Sequence, residues 1–281
     1  RISTLFPLLC ACAALVLSIF CLFAGHKPGF LEEYHIITLN TSTLGHNIIP
    51  TTAPSSGSTP SLGSIFGSIA RDFHSSIGGE IGSDLNSVIG HVTDQLAAEL
   101  GIQQWYSMHL MGMCEGTYSP DATTPGTQLN VSSCTKPTAM YHFDISDQLS
   151  KELQLGKLHF DLSAIGWPSD IQNGLNNLST ALDTLFVLYT VGATATGLVI
   201  LGTLITLVTP TSRFALFYNW GLISLSFLSL LIASAVITIV QIKAVGLINR
   251  YGNEIGVYAY KGNKYMFLTW AAVVVMLLAG V

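Results

Sequence analysis

The sequence predicts a membrane α-helical protein: a four-transmembrane-helix bundle with a large extracellular domain between spans one and two. Three observations predict it. Apolar residues make up 49% of the 281-residue chain and charged residues only 10%, and the mean hydropathy is +0.53. The apolar residues collect in four long blocks free of charge. Fifteen of the 16 acidic residues and all 8 histidines lie between the first two blocks. The net charge of −5 and the 11 scattered basic residues leave no electrostatic footprint for nucleic acid.

The first block, 5–24 (LFPLLCACAALVLSIFCLFA), is long enough to cross a hydrocarbon core, which takes about 20 apolar residues as a helix. It places transmembrane helix 1 over 1–24. A cleaved signal peptide is the other reading, because Ala24-Gly25 follows an apolar core, but the length of the run favours retention. Transmembrane helix 2 follows at 184–208 and helix 3 at 214–242, joined by a turn at 209–213, and helix 4 occupies 265–281. The chain starts at Arg1 and stops inside an apolar run, so we expect further residues at both ends.

The segment 25–183 sets fifteen acidic residues against Lys27, Arg71, Lys136, Lys151 and Lys157, a formal −10. The loop 243–264 sets Lys243, Arg250, Lys261 and Lys264 against Glu254, a formal +3. Three N-x-[ST] sequons, at Asn40, Asn130 and Asn177, all fall in 25–183. They put both loops outside and both termini and the 209–213 turn in the cytosol. The positive-inside rule weighs mildly against this, because the +3 loop is then external. Opposite charge on neighbouring outer segments favours docking of one loop on the other.

Within 25–183, residues 50–64 (PTTAPSSGSTPSLGS) read as a flexible linker. Apolar residues from Leu62 to Leu100 recur at steps of three or four, predicting amphipathic helices over 62–101, broken near Gly78-Gly79. Such a stripe serves a membrane surface or self-association, or covers the domain's own core; the last reading is favoured. A further helix runs through 146–154 with Ser146 as its cap. Another begins at Ser169 and covers 169–183, with Ile171, Leu175, Leu178, Leu182 and Leu185 on one face, and runs straight into span two.

The sequence has no GxSxG, HExxH, phosphate-cradling Gly-Lys loop or CxxC. Its spans hold no ionisable acid, base or histidine away from their ends, which argues against coupled transport. They hold small residues instead: Gly192, Ala193, Thr196, Gly197 and Gly202 in span two, and Ser226, Ser229, Ala233 and Ser234 in span three. Faces of this kind let helices approach closely. Cys10 and Cys12 are candidate palmitoylation sites in span one. Cys114 and Cys134 are the only cysteines between spans one and two, and in an oxidising compartment such a pair reads as a disulfide.

The stretch WYSMHLMGMCEGTY, 105–118, gathers Met108, His109, Met111, Met113 and Cys114, a soft-ligand set that invites Cu(I). Disulfide formation removes Cys114 as a ligand. If 105–114 is one extended strand, Tyr106, Met108, Leu110 and Cys114 face one way and Trp105, His109, Met111 and Met113 the other. An apolar, disulfide-pinned strand is the favoured reading, with no metal and no cofactor.

At these residues the chain resembles a known family. WYSMHLMGMCEGTYSPD leading to Cys134, then GWPSDI, FVLYTVG and INRYGNEIGVYAYKGNKYMFLTW (248–270), are similar to the fungal Sur-seven/PalI family of claudin-like four-span plasma-membrane proteins. The similarity runs from about Leu100 onward. Its most specific elements are the aromatic-then-Cys…Cys signature and an approximate Gly256, Ala259, Gly262 run before the last span. Its motif residues are Trp105, Tyr106, His109, Gly112, Gly116, Trp167 and Pro168. It implies an α+β outer domain: a claudin-like small sheet over 104–143 framed by Cys114–Cys134, joined by a strand from 255–260, plus helices. It also implies a non-enzymatic organiser of cortical, eisosome-type membrane patches, with roles in wall integrity and stress response. The implied partners are membrane lipids, sterol or sphingolipid among them, and further copies of the chain. Two alternatives stand beside it. One is an auxiliary or trafficking subunit of another membrane protein, as in ambient-pH signalling or calcium entry. The other is a binder of cell-wall glycan that uses Trp105 and Trp167 as stacking platforms. Eight outer histidines suit a pH sensor, though ordinary surface roles are favoured.

Overall fold

The computed structural model describes residues 2–43, 103–119, 127–141, 169–208, 213–253 and 256–280. The linker at 50–64, the helices at 62–101 and 146–154, and Trp167 and Pro168 lie outside the described residues. In chain order the elements are α1 (Ile2–Phe23), β1 (Ile37–Asn40), β2 (Trp105–Met108), β3 (Met113–Ser119) and β4 (Gln128–Cys134). They continue with α2 (Ser169–Val208), α3 (Arg213–Gly252), β5 (Tyr258–Lys261) and α4 (Asn263–Gly280). The four helices among the described residues are all long and apolar enough to cross a membrane. The protein is a multi-pass membrane protein with a small antiparallel sheet.

The helices close into a ring, α1 against α2 and α4, and α3 against α2 and α4. Small side chains on α1, Ala11, Ala14 and Ser18, are fully buried, so the neighbouring helices come close there. Between α2 and α3, Gly192 faces Leu230, and a methyl at Gly192 would come within 2.9 Å of the Leu230 side chain. The buried hydroxyls of Thr196 and Ser226 hydrogen-bond to each other, and Ser226 also donates to the Gly192 carbonyl at 3.1 Å. Ala193 is buried, and Gly202 lies against Asn219. Gly197 does not share this seam: the space where its Cβ would sit is open. Large apolar side chains turn away from the ring, among them Leu9, Leu201, Phe217 and Phe267.

Two helices run well past a bilayer's thickness. At 1.5 Å per residue, α2 and α3 are each about 60 Å long, roughly twice a hydrocarbon core. In α2 the extension starts at Ser169 and buries Leu178, Leu182 and Leu185. In α3 the helix does not end near 242 as the charge pattern suggests but continues to Gly252. Lys243 and Arg250 project to the exposed side, while Gln241 and Val245 stay buried and Ile248 packs against the core. An amphipathic turn thus carries the helix onward where the apolar block stops.

The five strands pair antiparallel in the order β4-β3-β2-β1-β5. Residues 105–114 are not one strand. β2 ends at Met108 and the chain reverses through 109–112, closed by the His109 N–H donating to the Gly112 carbonyl at 2.8 Å. Met108 therefore pairs with Met113, and Ser107 with Cys114. The period-2 facing expected for 105–114 fails because β2 is buried on both faces and hides the reversal.

Candidate functional site

Trp105, Tyr106, His109, Gly112 and Gly116, the family-motif residues among those described, lie together in the β2–β3 hairpin beside the end of α1. Trp105 is 1% exposed and donates its indole N–H to the Thr117 carbonyl at 3.0 Å. Gly116 sits opposite it in the register, and a Cβ at Gly116 would lie 2.7 Å from the indole and 2.0 Å from the Asn130 carbonyl. Only glycine leaves room for the ring there. A buried Trp105 offers no face to a sugar, which corrects its assignment as a stacking platform. Tyr106 accepts a hydrogen bond on its hydroxyl from the Gln103 N–H. Gly112 lies against the Thr135 hydroxyl, which accepts from the Met113 N–H at 2.9 Å and so ties the turn to the strand end beyond Cys134.

Cys114 and Cys134 face each other in β3 and β4 and are joined as a disulfide, with Cα atoms 4.0 Å apart. The Cys114 sulfur rests 3.3 Å from the carbonyl oxygen of Gly25, a contact rather than a hydrogen bond because the sulfur carries no proton. Gly25 closes α1 with φ of +69°. A Cβ there would come within 2.3 Å of the His109 ring. The disulfide and His109 together therefore seat the sheet on the end of α1.

His109 is fully enclosed, with Nε2 3.2 Å from the Ser107 hydroxyl and the His35 ring edge-on at 6.5 Å. Burial pushes its pKa down to about 3; His35 adds to the shift and the backbone of Tyr34 opposes it. His35 is lowered as well, first by burial and then by Lys264, against the Glu32 carbonyl and Glu33. Both rings are neutral near pH 7. Among the described residues no three His, Cys, Asp or Glu side chains converge. The soft-ligand set is dispersed: Met108 and Met113 are buried partners across the hairpin, Met111 lies in the turn, and Cys114 is oxidised.

The opposite end of the sheet is held by α3 and α4. The Asn249 amide donates to the Ala259 carbonyl at 3.0 Å and accepts from the Ala259 N–H at 2.6 Å, taking the place of a sixth strand. Gly262 passes directly beneath the backbone of His35, and a Cβ there would sit 1.6 Å from the His35 carbonyl oxygen. Its own N–H donates to Ile36 and its carbonyl accepts from Gln241. Tyr265 then donates to the Cys21 carbonyl, tying α4 to α1. An exposed ion pair between Lys264 and Glu33 joins the basic and acidic loops.

Ser107, Gln241 and Asn249 were not singled out in the sequence, and the close approaches at Gly25 and Gly262 were not foreseen there. Asn249 lies in a run that reads as loop, Gln241 at the end of the third apolar block and Ser107 in the 105–118 stretch, and only KGN at 261–263 hints at a tight passage. Of the sequons, Asn130 is exposed on β4. Asn40 is half-buried in β1, with its Oδ1 accepting from the N–H and hydroxyl of Ser42. Asn177 lies in α2, with its side chain outside the described residues. In α1, Cys12 is exposed, Cys10 partly buried and Cys21 buried.

Compared with known proteins, the chain matches the family model described as the SUR7/PalI family over residues 3–281. No curated protein matches it, and no solved structure does. Since that match takes in the sheet, its seats on the helix ends and all four spans, the chain belongs to the SUR7/PalI family.

Proposed function

We propose that this protein is a non-enzymatic organiser of the plasma membrane. It faces the cell exterior with the 25–183 segment and scaffolds cortical, eisosome-type patches through self-association and contacts with lipid. The observation that carries the reading is the fixing of the sheet to the helix ends at Gly25, Asn249 and Gly262. A sheet seated this way moves with the bundle as one body. That suits a unit that repeats in an array better than one that opens and closes on a substrate. The belt of large apolar side chains turned away from the ring supplies the surface for lipids and for neighbouring copies.

The experiment is to measure the oligomeric state in native lipid, by extraction into polymer-bounded discs and single-particle counting. Homomeric assemblies of several copies are expected. A one-to-one complex with an unrelated multi-span protein would overturn the scaffold and favour an auxiliary subunit.

A further inference from the structure

The two edges of the sheet differ. On the β5 edge, the Asn249 amide occupies both backbone groups of Ala259. The β4 edge has no strand beside it among the described residues. Five of its seven residues are exposed, with Leu129 at 40%. Open edges invite pairing with another chain, and proteins blunt them with charge, proline or a covering element. The β4 sequence, QLNVSSC, has neither charge nor proline. It has a sequon at its centre, Asn130-Val131-Ser132. Asn130 is exposed, and the exposed Ser132 hydroxyl donates, among the described residues, to the side chain of Gln103 at 3.2 Å. Asn40 makes the contrast: its strand is flanked on both sides by β2 and β5, and its amide oxygen is engaged by Ser42, the hydroxyl of its own sequon.

We propose that Asn130 carries an N-linked oligosaccharide and that this glycan guards the open edge of the sheet. The donor class is an oligosaccharide linked to a lipid diphosphate. The Asn130 amide nitrogen forms the bond to the first sugar carbon, the bond from that carbon to the diphosphate oxygen breaks, the lipid diphosphate leaves, and one amide proton passes to a base. A second strand pairing with β4 would have to lie about 4.8 Å away. A bulky, hydrated chain rooted at the middle of the strand denies that approach. Contacts between copies are then left to the spans instead of to sheet edges. The inference rests on the outward orientation proposed above.

The test uses the full chain made in a eukaryotic secretory host, with N40Q, N130Q, N177Q and S132A variants. Each is run before and after an amidase that releases N-glycans. The expected result is a mobility step lost in N130Q and S132A and kept in N40Q. An N130Q protein that runs with the wild type before the amidase and shifts as far after it overturns this inference while leaving the orientation intact. No step in any protein, wild type included, removes the orientation and the inference together. The guarding role is read by light scattering of detergent-purified protein. N130Q should raise the associated fraction at least twofold over wild type, and adding Leu129→Lys, a charge on the edge, should return it to the wild-type value. An unchanged fraction in N130Q, or a rise that Leu129→Lys does not reverse, overturns the guard.

Discussion

Replacing His109 with glutamine should flatten the acid side of the protein's stability profile. His109 has a pKa of about 3 in the folded protein, against about 6.5 in an unfolded chain. A lowered pKa means the folded state holds fewer protons than the unfolded state, so stability rises with pH. The contribution is complete above about pH 6.5 and is lost progressively as the pH falls toward 3. Each pH unit within that window removes about 1.4 kcal/mol, so the interval from 6.5 to 4.5 removes on the order of 3 kcal/mol. The structural reason is that a charged ring would sit enclosed between Gly25, Ser107 and His35, with no carboxylate in contact among the described residues. The assay is thermal unfolding in lipid discs at half-unit steps from pH 7.5 to 4, for wild type and His109→Gln. Carboxylates titrate in both proteins, so the difference between the two profiles isolates His109. The two curves should diverge below pH 6.5, with wild type the steeper. Parallel curves over that range would refute the buried, neutral histidine.

Other substitutions test the seats of the sheet and the seam of the bundle. Gly262→Ala forces a methyl onto the His35 carbonyl oxygen, a backbone atom that cannot swing aside, and should abolish surface delivery as read by protease accessibility. Asn249→Ala strands both backbone groups of Ala259 and should lower stability by roughly 1–3 kcal/mol in denaturant titration. Cys114→Ser or Cys134→Ser opens a cross-link spanning 20 residues. It should destabilise the outer unit by about 3 kcal/mol, seen as loss of the mobility difference between reduced and non-reduced protein and as retention inside the cell. Gly197→Ala should stabilise by about 0.5–1 kcal/mol, because its helical site is open, whereas Gly192→Ala meets Leu230 and should lower the melting temperature.

Legibility in the sequence followed the range of the forces involved. The spans were readable because transfer into hydrocarbon depends on composition alone. The disulfide was readable because only two cysteines share the 25–183 segment. The course of α2 was readable because Leu178, Leu182 and Leu185 keep helical spacing across the edge of the apolar block. The hairpin at 109–112 was not, because strands buried on both faces lose alternation and its turn residues, His-Leu-Met-Gly, give little turn signal. β1 was missed for a related reason. Ile37–Asn40 is only four residues long, and its identity as the strand between β2 and β5 is fixed by partners distant in sequence. Asn249 was hidden because its role depends on α3 rising beside β5.

The placement of β1 also sets a schedule for biosynthesis. Residues 37–40 leave the ribosome early, yet one partner strand is 258–261, made more than 200 residues later. Pairings this distant in sequence form late. During synthesis the backbone of β1 facing β5 therefore has nothing to pair with until the last segment before α4 arrives. A nascent chain that stalls after α3 keeps that edge bare, and a chaperone that binds extended backbone can hold it. Closure of the sheet thus reports that the chain has reached α4, and it makes β1 a checkpoint on the completeness of the fold.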